Sequence, residues 1–216
     1  MADSRDTMLL SDDDIPYGDN WQSATNVATW IDAADQRRPW RVQIRERIAE
    51  HVGALRRDAR ILELGSGPGF LAECILERCP NVSSYTLLDF SPYMLAASRE
   101  RLARFPIAHF VSASFKSENW TEIVPGPFDC IVSMQAVHEL RHKRHAAQLY
   151  QQVHQVTAPL GQVLICDGVP LDETPRSLAL YMTEQEQLAA LAFAGFSRVR
   201  TVLAVDTLLL YVCEKA

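Results

Sequence analysis

The sequence predicts an α/β fold in which a seven-stranded, mostly parallel sheet carries helices on both faces. Three observations predict it. Short apolar runs alternate with amphipathic segments along the chain, which is typical of parallel strands joined by crossover helices. The first run leads into a glycine-rich turn. The last two runs are separated by Asp206 alone or nearly so, which leaves no room for a crossover helix, so they must pair as an antiparallel hairpin.

Each apolar run has the length of a strand, and most are bounded by Gly, Pro, Asp or Asn. The predicted strands are Arg60–Leu64, Tyr85–Leu88, Ile107–Val111, Phe128–Ser133, Gln162–Cys166, Val199–Val205 and Thr207–Val212.

The segments between the runs carry apolar residues at helical spacing. Pro92 suits the first turn of a helix, where a missing N–H costs nothing. Thr183 and Glu186 have the spacing of a capping box, and Gly195 is a typical stop. The predicted helices are Trp40–Ala54, Phe70–Arg78, Pro92–Arg104, Arg141–Thr157 and Thr183–Ala194.

Length and composition are those of one globular domain of 216 residues, 48% hydrophobic and 22% charged. We expect a flexible N-terminal arm over residues 1–20, N-terminal helices that form a lid over residues 21–55, and a core over residues 56–216. No stretch approaches the roughly 20 apolar residues of a membrane span, and the polar N-terminus lacks the features of a signal peptide. We therefore expect a protein without membrane contact.

The net charge and the positions of the cysteines indicate which binding partners and which cellular compartment to expect. The net charge of -6 argues against a nucleic-acid partner, because phosphates demand clustered Lys and Arg. The five cysteines form no C-x-x-C pair. Cys130, Cys166 and Cys213 lie inside apolar runs, which predicts buried free thiols and a reducing cytoplasm.

The glycine-rich turn is the sharpest motif. The first strand runs into Gly65-Ser66-Gly67-Pro68-Gly69, and Asp89 ends the second strand. Glycine lets a ligand approach the backbone, and a carboxylate at the tip of the second strand can accept both hydroxyls of a ribose. The same pattern also fits a tight turn beside an N-cap aspartate, with no ligand.

Two ligands fit the turn, a dinucleotide or S-adenosylmethionine. The third glycine comes too early for the dinucleotide fingerprint G-x-G-x-x-G. Glu63 lies two residues before the turn. A buried carboxylate is unfavourable beside a pyrophosphate and favourable beside a sulfonium and an ammonium.

Four motifs carry a resemblance that covers roughly residues 38–214. They are LELGSGPG around residues 63–69, LLDFSPYML at 87–95, FDCIVSMQAVHEL at 128–140 and LGQVLICD at 160–167. The chain resembles the class I S-adenosylmethionine-dependent methyltransferases of the small-molecule type. The resemblance implies a Rossmann-like fold and in-line transfer of a methyl group to a small O, N or C acceptor, with S-adenosylhomocysteine as product.

The resemblance also implies the cofactor-binding residues. Asp89 would bind the ribose, and an arginine ahead of the first strand would reach the cofactor carboxylate, with Arg38 the first candidate and Arg37 the second. Both arginines could equally be solvated helix-start charges. The other implied cofactor residues are Glu63, Gly65, Ser66, Gly67 and Gly69 at the methionine part, Phe90, Met94, Ser114 and Phe115 around the adenine, and Met134 and Gln135 near the ammonium.

The residues that would act on the acceptor are predicted to follow the fourth strand. His138 is the candidate general base, with Glu139 beside it; both could instead be residues that merely start a helix. His142, His145 and His154 also resemble metal ligands, with His138 and His142 four residues apart, but no acidic set completes a site, so no metal is expected. The substrate cover should come from the N-terminal segment and from the loop 168–182, with Trp21, Trp30, Arg176 and Tyr181 as substrate candidates.

Three other functions compete with this interpretation. Base methylation usually needs an (Asn/Asp/Ser)-Pro-Pro-aromatic turn after the fourth strand, where this chain has Ser133-Met134-Gln135-Ala136. An enzyme of the same fold could cyclise the cofactor or transfer another group, because the motifs mark binding rather than outcome. The third competing function is that of a non-enzymatic partner protein that retains a cofactor pocket. The sequence predicts neither the acceptor nor the oligomeric state.

Overall fold

The computed structural model describes residues 13–216, so residues 1–12 of the predicted arm lie outside the described part. The helices are α1 (Ala24–Arg37), α2 (Arg41–Gly53), α3 (Phe70–Arg78), α4 (Pro92–Arg101), α5 (Trp120–Ile123), α6 (Ala146–Val156), α7 (Pro175–Leu180) and α8 (Glu184–Phe193), with short 3-10 turns at Val137–Leu140 and Lys143–His145. The strands are β1 (Ala59–Leu64), β2 (Val82–Asp89), β3 (Ala108–Ser112), β4 (Phe128–Met134), β5 (Thr157–Gly168), β6 (Ser197–Val205) and β7 (Leu208–Glu214).

The seven strands form one sheet in the order β3-β2-β1-β4-β5-β7-β6. Strands β1 to β5 pair in parallel, whereas β7 pairs antiparallel with both β5 and β6. The predicted Rossmann-like sheet and its closing hairpin are therefore confirmed.

The sheet is buried on both faces, as continuous apolar strands require. In β1, Ile61, Leu62 and Leu64 are all buried, and alternate residues contribute to different sides of the core. One side packs against α6 and α8, and the other against α2 and α3. This packing fixes the carboxyl ends of β1, β2, β4 and β5 at one edge, where the chain order switches direction between β1 and β4. Such a switch point is where open α/β sheets bind ligands.

The predicted helix Arg141–Thr157 is wrong at its start. Arg141 has φ 68°, in the left-handed region, which a side chain with a Cβ adopts only at a cost. His142 is extended, and its Nδ1 accepts a hydrogen bond from the Arg144 N–H. Helix α6 therefore begins only at Ala146, and Thr157 already belongs to β5.

The capping box predicted from Thr183 and Glu186 is confirmed, since both reciprocal hydrogen bonds are present. All five cysteines are free and buried, as predicted for the three in apolar runs. Among the described residues, no helix combines the length and the apolar character that crossing a bilayer requires.

Candidate active site

A cavity lies at the carboxyl ends of β1, β2 and β4. It brings together most of the residues predicted to hold a cofactor. Those that line it are Glu63, Gly65, Ser66, Gly67, Asp89, Phe90, Met94, Phe115, Met134 and Gln135. Arg38, Gly69 and Ser114 do not line it; Gly69 instead caps α3 with a left-handed backbone, and the Ser114 Oγ accepts a hydrogen bond from the Lys116 N–H. We call this space the cofactor cavity.

The glycine-rich turn is tied to the end of β2. The Gly67 N–H donates to Asp89 Oδ2 at 2.8 Å, and the Ser91 N–H donates to Asp89 Oδ1 at the same distance. The N–H groups of Gly65 and Ser66 donate to the Leu88 carbonyl. Asp89 and the turn therefore converge on one cavity, as the proposed adenosine site requires.

Two features of the turn fit a bound group such as S-adenosylmethionine. Ser66 Oγ is buried without a hydrogen-bond partner among residues 13–216, and buried polar atoms normally have one. A Cβ added at Gly67 would meet no atom within 4 Å, whereas one at Gly65 would lie 2.3 Å from Ala136 Cβ. The space beside Gly67 is thus open for a ligand, and the space beside Gly65 is filled by protein.

The two glycines make a matched pair of variants. We expect Gly67→Ala to fold, with about 1–2 kcal/mol lost to its positive φ, and to bind S-adenosylhomocysteine at least about tenfold more weakly because its methyl group enters the cradle. Gly65→Ala should lower the melting temperature far more, since its Cβ collides with Ala136. Calorimetric titration and thermal unfolding measure both effects. A Gly67→Ala protein that binds as tightly as the parent would contradict the placement of the ligand.

Glu63 is a buried carboxyl group in the wall of the cofactor cavity. Tyr85 donates its hydroxyl to Glu63 Oε2 at 2.8 Å. Burial, which outweighs this hydrogen bond, raises the pKa of Glu63 to about 8, and Asp89 adds to the rise. The group is therefore mainly protonated at neutral pH and becomes a carboxylate when a cation is placed beside it.

This raised pKa predicts that cofactor binding releases a proton. An ammonium beside Glu63 stabilises the carboxylate, so the affinity for S-adenosylhomocysteine should rise with pH between about 6 and 7.5, a range in which the α-amino group of the ligand stays protonated. Titrations in buffers of different ionisation enthalpy would measure the proton release. Glu63→Gln should flatten the pH dependence; the same slope in that variant would show that another group is responsible.

The arginines of the cofactor cavity are not those that the sequence suggested. Arg41 and Arg45, from the first turns of α2, line it, whereas Arg37 and Arg38 line the neighbouring cavity instead. Arg45 forms a bidentate pair with Asp35 at 2.6 and 3.0 Å. Arg41 is 7% exposed, donates its Nε–H to the Gln135 side chain, and stacks over Trp30. Arg41 is therefore a better candidate than Arg45 to bind an anionic group of a ligand through its terminal N–H groups.

A second cavity adjoins the first. The two share a wall formed by Trp21, Trp30, Arg41, Gln135 and Glu139. The predicted substrate residues Arg176 and Tyr181 and the predicted base His138 line this second space, which we call the acceptor cavity.

His138 and Asp167 form a hydrogen-bonded dyad in the acceptor cavity. His138 Nδ1 lies 2.7 Å from Asp167 Oδ1, and the His138 backbone N–H donates to Asp167 Oδ2 at 2.8 Å. Burial lowers the pKa of His138, but the charge and hydrogen bond of Asp167, together with the charge of Glu139, outweigh it, so the pKa lies above its usual 6.5. With Nδ1 directed at the carboxylate, Nε2 is the nitrogen left to take a proton.

The dyad is surrounded by groups that hold it in place. Glu139 Oε1 lies 3.6 Å from His138 Nε2, and Arg141 Nη1 donates to the other Glu139 oxygen at 3.3 Å. The ring of Tyr181 lies 5.2 Å from the His138 ring. Asp167 was missed as a site residue in the sequence, although it carries the same signal as Asp89, a carboxylate that ends an apolar parallel strand.

The N-terminal segment covers both cavities. Ser91 Oγ donates to the Trp21 carbonyl, and Trp21 meets Trp30 edge-on at 5.8 Å. Arg141 donates to the carbonyls of Ile15 and Pro16 at 2.9 and 2.6 Å. The described part of the predicted arm is therefore held against the body of the protein.

The histidines with ligand-like spacing have other contacts. His145 Nε2 lies 2.8 Å from Asp14 Oδ1, and His142 contacts the Arg144 backbone. Over the described residues 13–216, no three His, Cys, Asp or Glu side chains come together in a way that could hold a metal ion.

Comparison with known proteins identifies the domain. Residues 61–161 match the family described as "Methyltransferase domain". A malonyl-[acyl-carrier protein] O-methyltransferase of Ilyobacter polytropus is 35% identical over 68 residues, which are 32% of this chain and 25% of that protein. The non-reducing polyketide synthase mapC of Penicillium roqueforti is 27% identical over 92 residues, 40% of this chain and 4% of that protein. The chain therefore spans only a small part of these relatives.

Solved structures show the same fold. Human N-acetylserotonin methyltransferase in complex with SAM has a TM-score of 0.69 at 16% identity, covering 91% of this chain and 57% of that one. A SAM-dependent methyltransferase from Aquifex aeolicus has a TM-score of 0.67 at 16% identity, covering 90% and 99%. Residues 61–161 therefore match a methyltransferase domain, and the sheet as a whole has the fold of these SAM-dependent methyltransferases.

Proposed function

We propose that this chain transfers a methyl group to a small-molecule acceptor in the acceptor cavity, and that His138, oriented by Asp167, removes the proton of the acceptor. The observation that carries the proposal is that the two cavities are adjacent and have five lining residues in common, so a cofactor in the first and an acceptor in the second would lie next to each other. When bound, S-adenosylmethionine supplies an electrophilic methyl group on its sulfonium.

The residues of the first cavity would divide the cofactor between them. Asp89 would accept hydrogen bonds from the ribose hydroxyls, and Phe90, Met94 and Phe115 would enclose the adenine. Glu63 would face the ammonium group, and Arg41 would take the place we predicted for Arg38 at the carboxylate, because Arg41 lies in this cavity and Arg38 does not. These contacts hold the reacting groups in line, which contributes much of the rate in a displacement.

The residues of the second cavity would act on the acceptor. Nε2 of His138 accepts the proton, and Asp167 stabilises the imidazolium that results. Trp21 and Trp30 exclude water from the shared wall, which strengthens the electrostatic interactions inside it.

Product analysis tests the proposal. The protein is incubated with methyl-labelled S-adenosylmethionine and candidate acceptors, and the label and the spent cofactor are followed by mass spectrometry. We expect labelled acceptor together with S-adenosylhomocysteine. Methylthioadenosine in its place would indicate transfer of another group or cyclisation, and failure of the intact protein to bind S-adenosylhomocysteine would remove the basis of the assignment.

A further inference from the structure

The acceptor cavity holds arginines whose charge the protein does not match. Five arginines line it, of which Arg141 pairs with Glu139 and Arg41 donates to Gln135. Within residues 13–216 the side chains of Arg37, Arg38 and Arg176 have neither an ion pair nor a hydrogen bond. An arginine side chain left without an anion in a cavity wall is a ready site for a carboxylate.

The carboxylates of the same cavity do not fill this role. Asp167 is bound to His138, and Glu139 to Arg141. Asp172 accepts hydrogen bonds from Thr174, and Asp206 accepts one from Thr207. Only Asp19, on the N-terminal segment, lines the cavity without a hydrogen-bond donor in the described part of the chain. The described lining of the acceptor cavity therefore contains three arginines without an anionic partner and one carboxylate, Asp19, without a hydrogen-bond donor.

Arg38 and Arg176 line the same cavity as His138 and Tyr181. Burial lowers the pKa of Arg41 and the charge of Arg38 adds to this shift, whereas burial raises the pKa of Tyr181 and the charge of Arg38 opposes that rise, so Arg38 lies near both. Tyr181 in turn packs beside His138. Arg176 reaches from α7 toward the N-terminal segment, where its Nη2 would lie 3.7 Å from a Cβ at Gly18.

We infer that the acceptor is a small hydroxy acid whose carboxylate binds Arg38 and Arg176 while its hydroxyl group faces Nε2 of His138. The inference rests on the proposed function, because it names the class of molecule that the acceptor cavity takes. A carboxylate and a separate hydroxyl are both needed, since a carboxylate that was itself methylated would already be deprotonated and would need no base.

The test is a binding experiment that does not depend on turnover. The protein is saturated with S-adenosylhomocysteine and titrated with a panel of aliphatic and aromatic hydroxy acids, salicylate and 3-hydroxybutyrate among them, each paired with its neutral carboxamide. We expect acids to bind at least about tenfold more tightly than their amides, because the charge-assisted hydrogen bonds are lost. Arg38→Gln and Arg176→Gln should each weaken acid binding about tenfold or more and leave amide binding unchanged.

Arg57→Gln is the matched control, since Arg57 is exposed and lines neither cavity. Equal binding of acids and amides, absence of binding by every acid, or full affinity in both arginine variants would overturn the inference. These outcomes are distinguishable from failure of the proposed function, because S-adenosylhomocysteine binding and S-adenosylhomocysteine formation with neutral acceptors are measured separately on the same protein.

Discussion

Replacement of Asp167 by Asn should lower kcat by about 10²-fold or more with any acceptor that supports turnover, because general-base catalysis contributes about 10²–10⁴-fold. The carboxylate fixes the His138 ring through Nδ1 and raises its pKa against the effect of burial. An amide can present its N–H to the ring and so stabilise the wrong tautomer. The binding of S-adenosylhomocysteine should change little, because Asp167 does not line the cofactor cavity.

The pH profile separates this role from a merely structural one. In the parent protein His138 acts in its neutral form, so kcat/KM should rise as pH increases through a pKa above 6.5. Loss of the Asp167 charge lowers that pKa, and the acidic limb of the profile should move to lower pH. The groups that also face His138 are Glu139, Arg141 and Tyr181, and all of them are retained in the variant.

Two further variants complete the comparison. Asp172→Asn removes a carboxylate from the same cavity that contacts Thr174 rather than His138, so it should leave the profile unchanged. His138→Gln combined with Asp167→Asn should be no slower than His138→Gln alone, since residues that act as a unit are not additive. Additive losses, or an unmoved acidic limb in Asp167→Asn, would show that the two residues do not work as base and orienting group.

The cofactor end of this site could be predicted from the sequence because its signals are local. Strand, glycine turn, helix and second strand follow each other without interruption, and the parallel register places Leu64 beside Leu88. Gly67 and Asp89 must therefore meet at the same edge of the sheet. The roles given to Arg38, Ser114 and the other site residues stay predictions, and the structure reports only where they lie.

The remaining contacts depend on tertiary packing that spacing does not encode. Whether Arg38 or Arg41 reaches the cofactor depends on where α1 ends and how α2 turns against the sheet. The dyad depends on a pairing between strands that are distant in the sequence. Strand β4 lies beside β5 with Met134 opposite Cys166, and the short 3-10 turn that follows β4 places His138 within reach of Asp167 at the end of β5.

Replacement of Asp89 by Ala should weaken S-adenosylhomocysteine binding by about 100-fold or more. Each hydrogen bond to a charged group is worth about 1.5–3 kcal/mol, and two ribose hydroxyls would donate to this carboxylate; a loss of about 1.4 kcal/mol is tenfold in affinity. The carboxylate is 7% exposed and lies in the cavity wall, so water cannot easily replace it. Titration calorimetry measures the loss.

Asp89 also anchors the turn through Gly67 and Ser91, so lost affinity alone could come from a displaced turn. A ligand comparison separates the two causes. The parent protein should bind S-adenosylhomocysteine much more tightly than its 2′-deoxy analogue. Asp89→Ala should bind the two ligands equally, because it lacks the carboxylate that accepts a hydrogen bond from the 2′-hydroxyl. Asp89→Asn retains an oxygen that can accept one backbone hydrogen bond. Its preference for S-adenosylhomocysteine over the 2′-deoxy analogue should lie between those of the parent and Asp89→Ala. If Asp89→Ala still prefers the ribose ligand as strongly as the parent does, another residue reads the ribose, and Asp89 serves only to hold the turn in place.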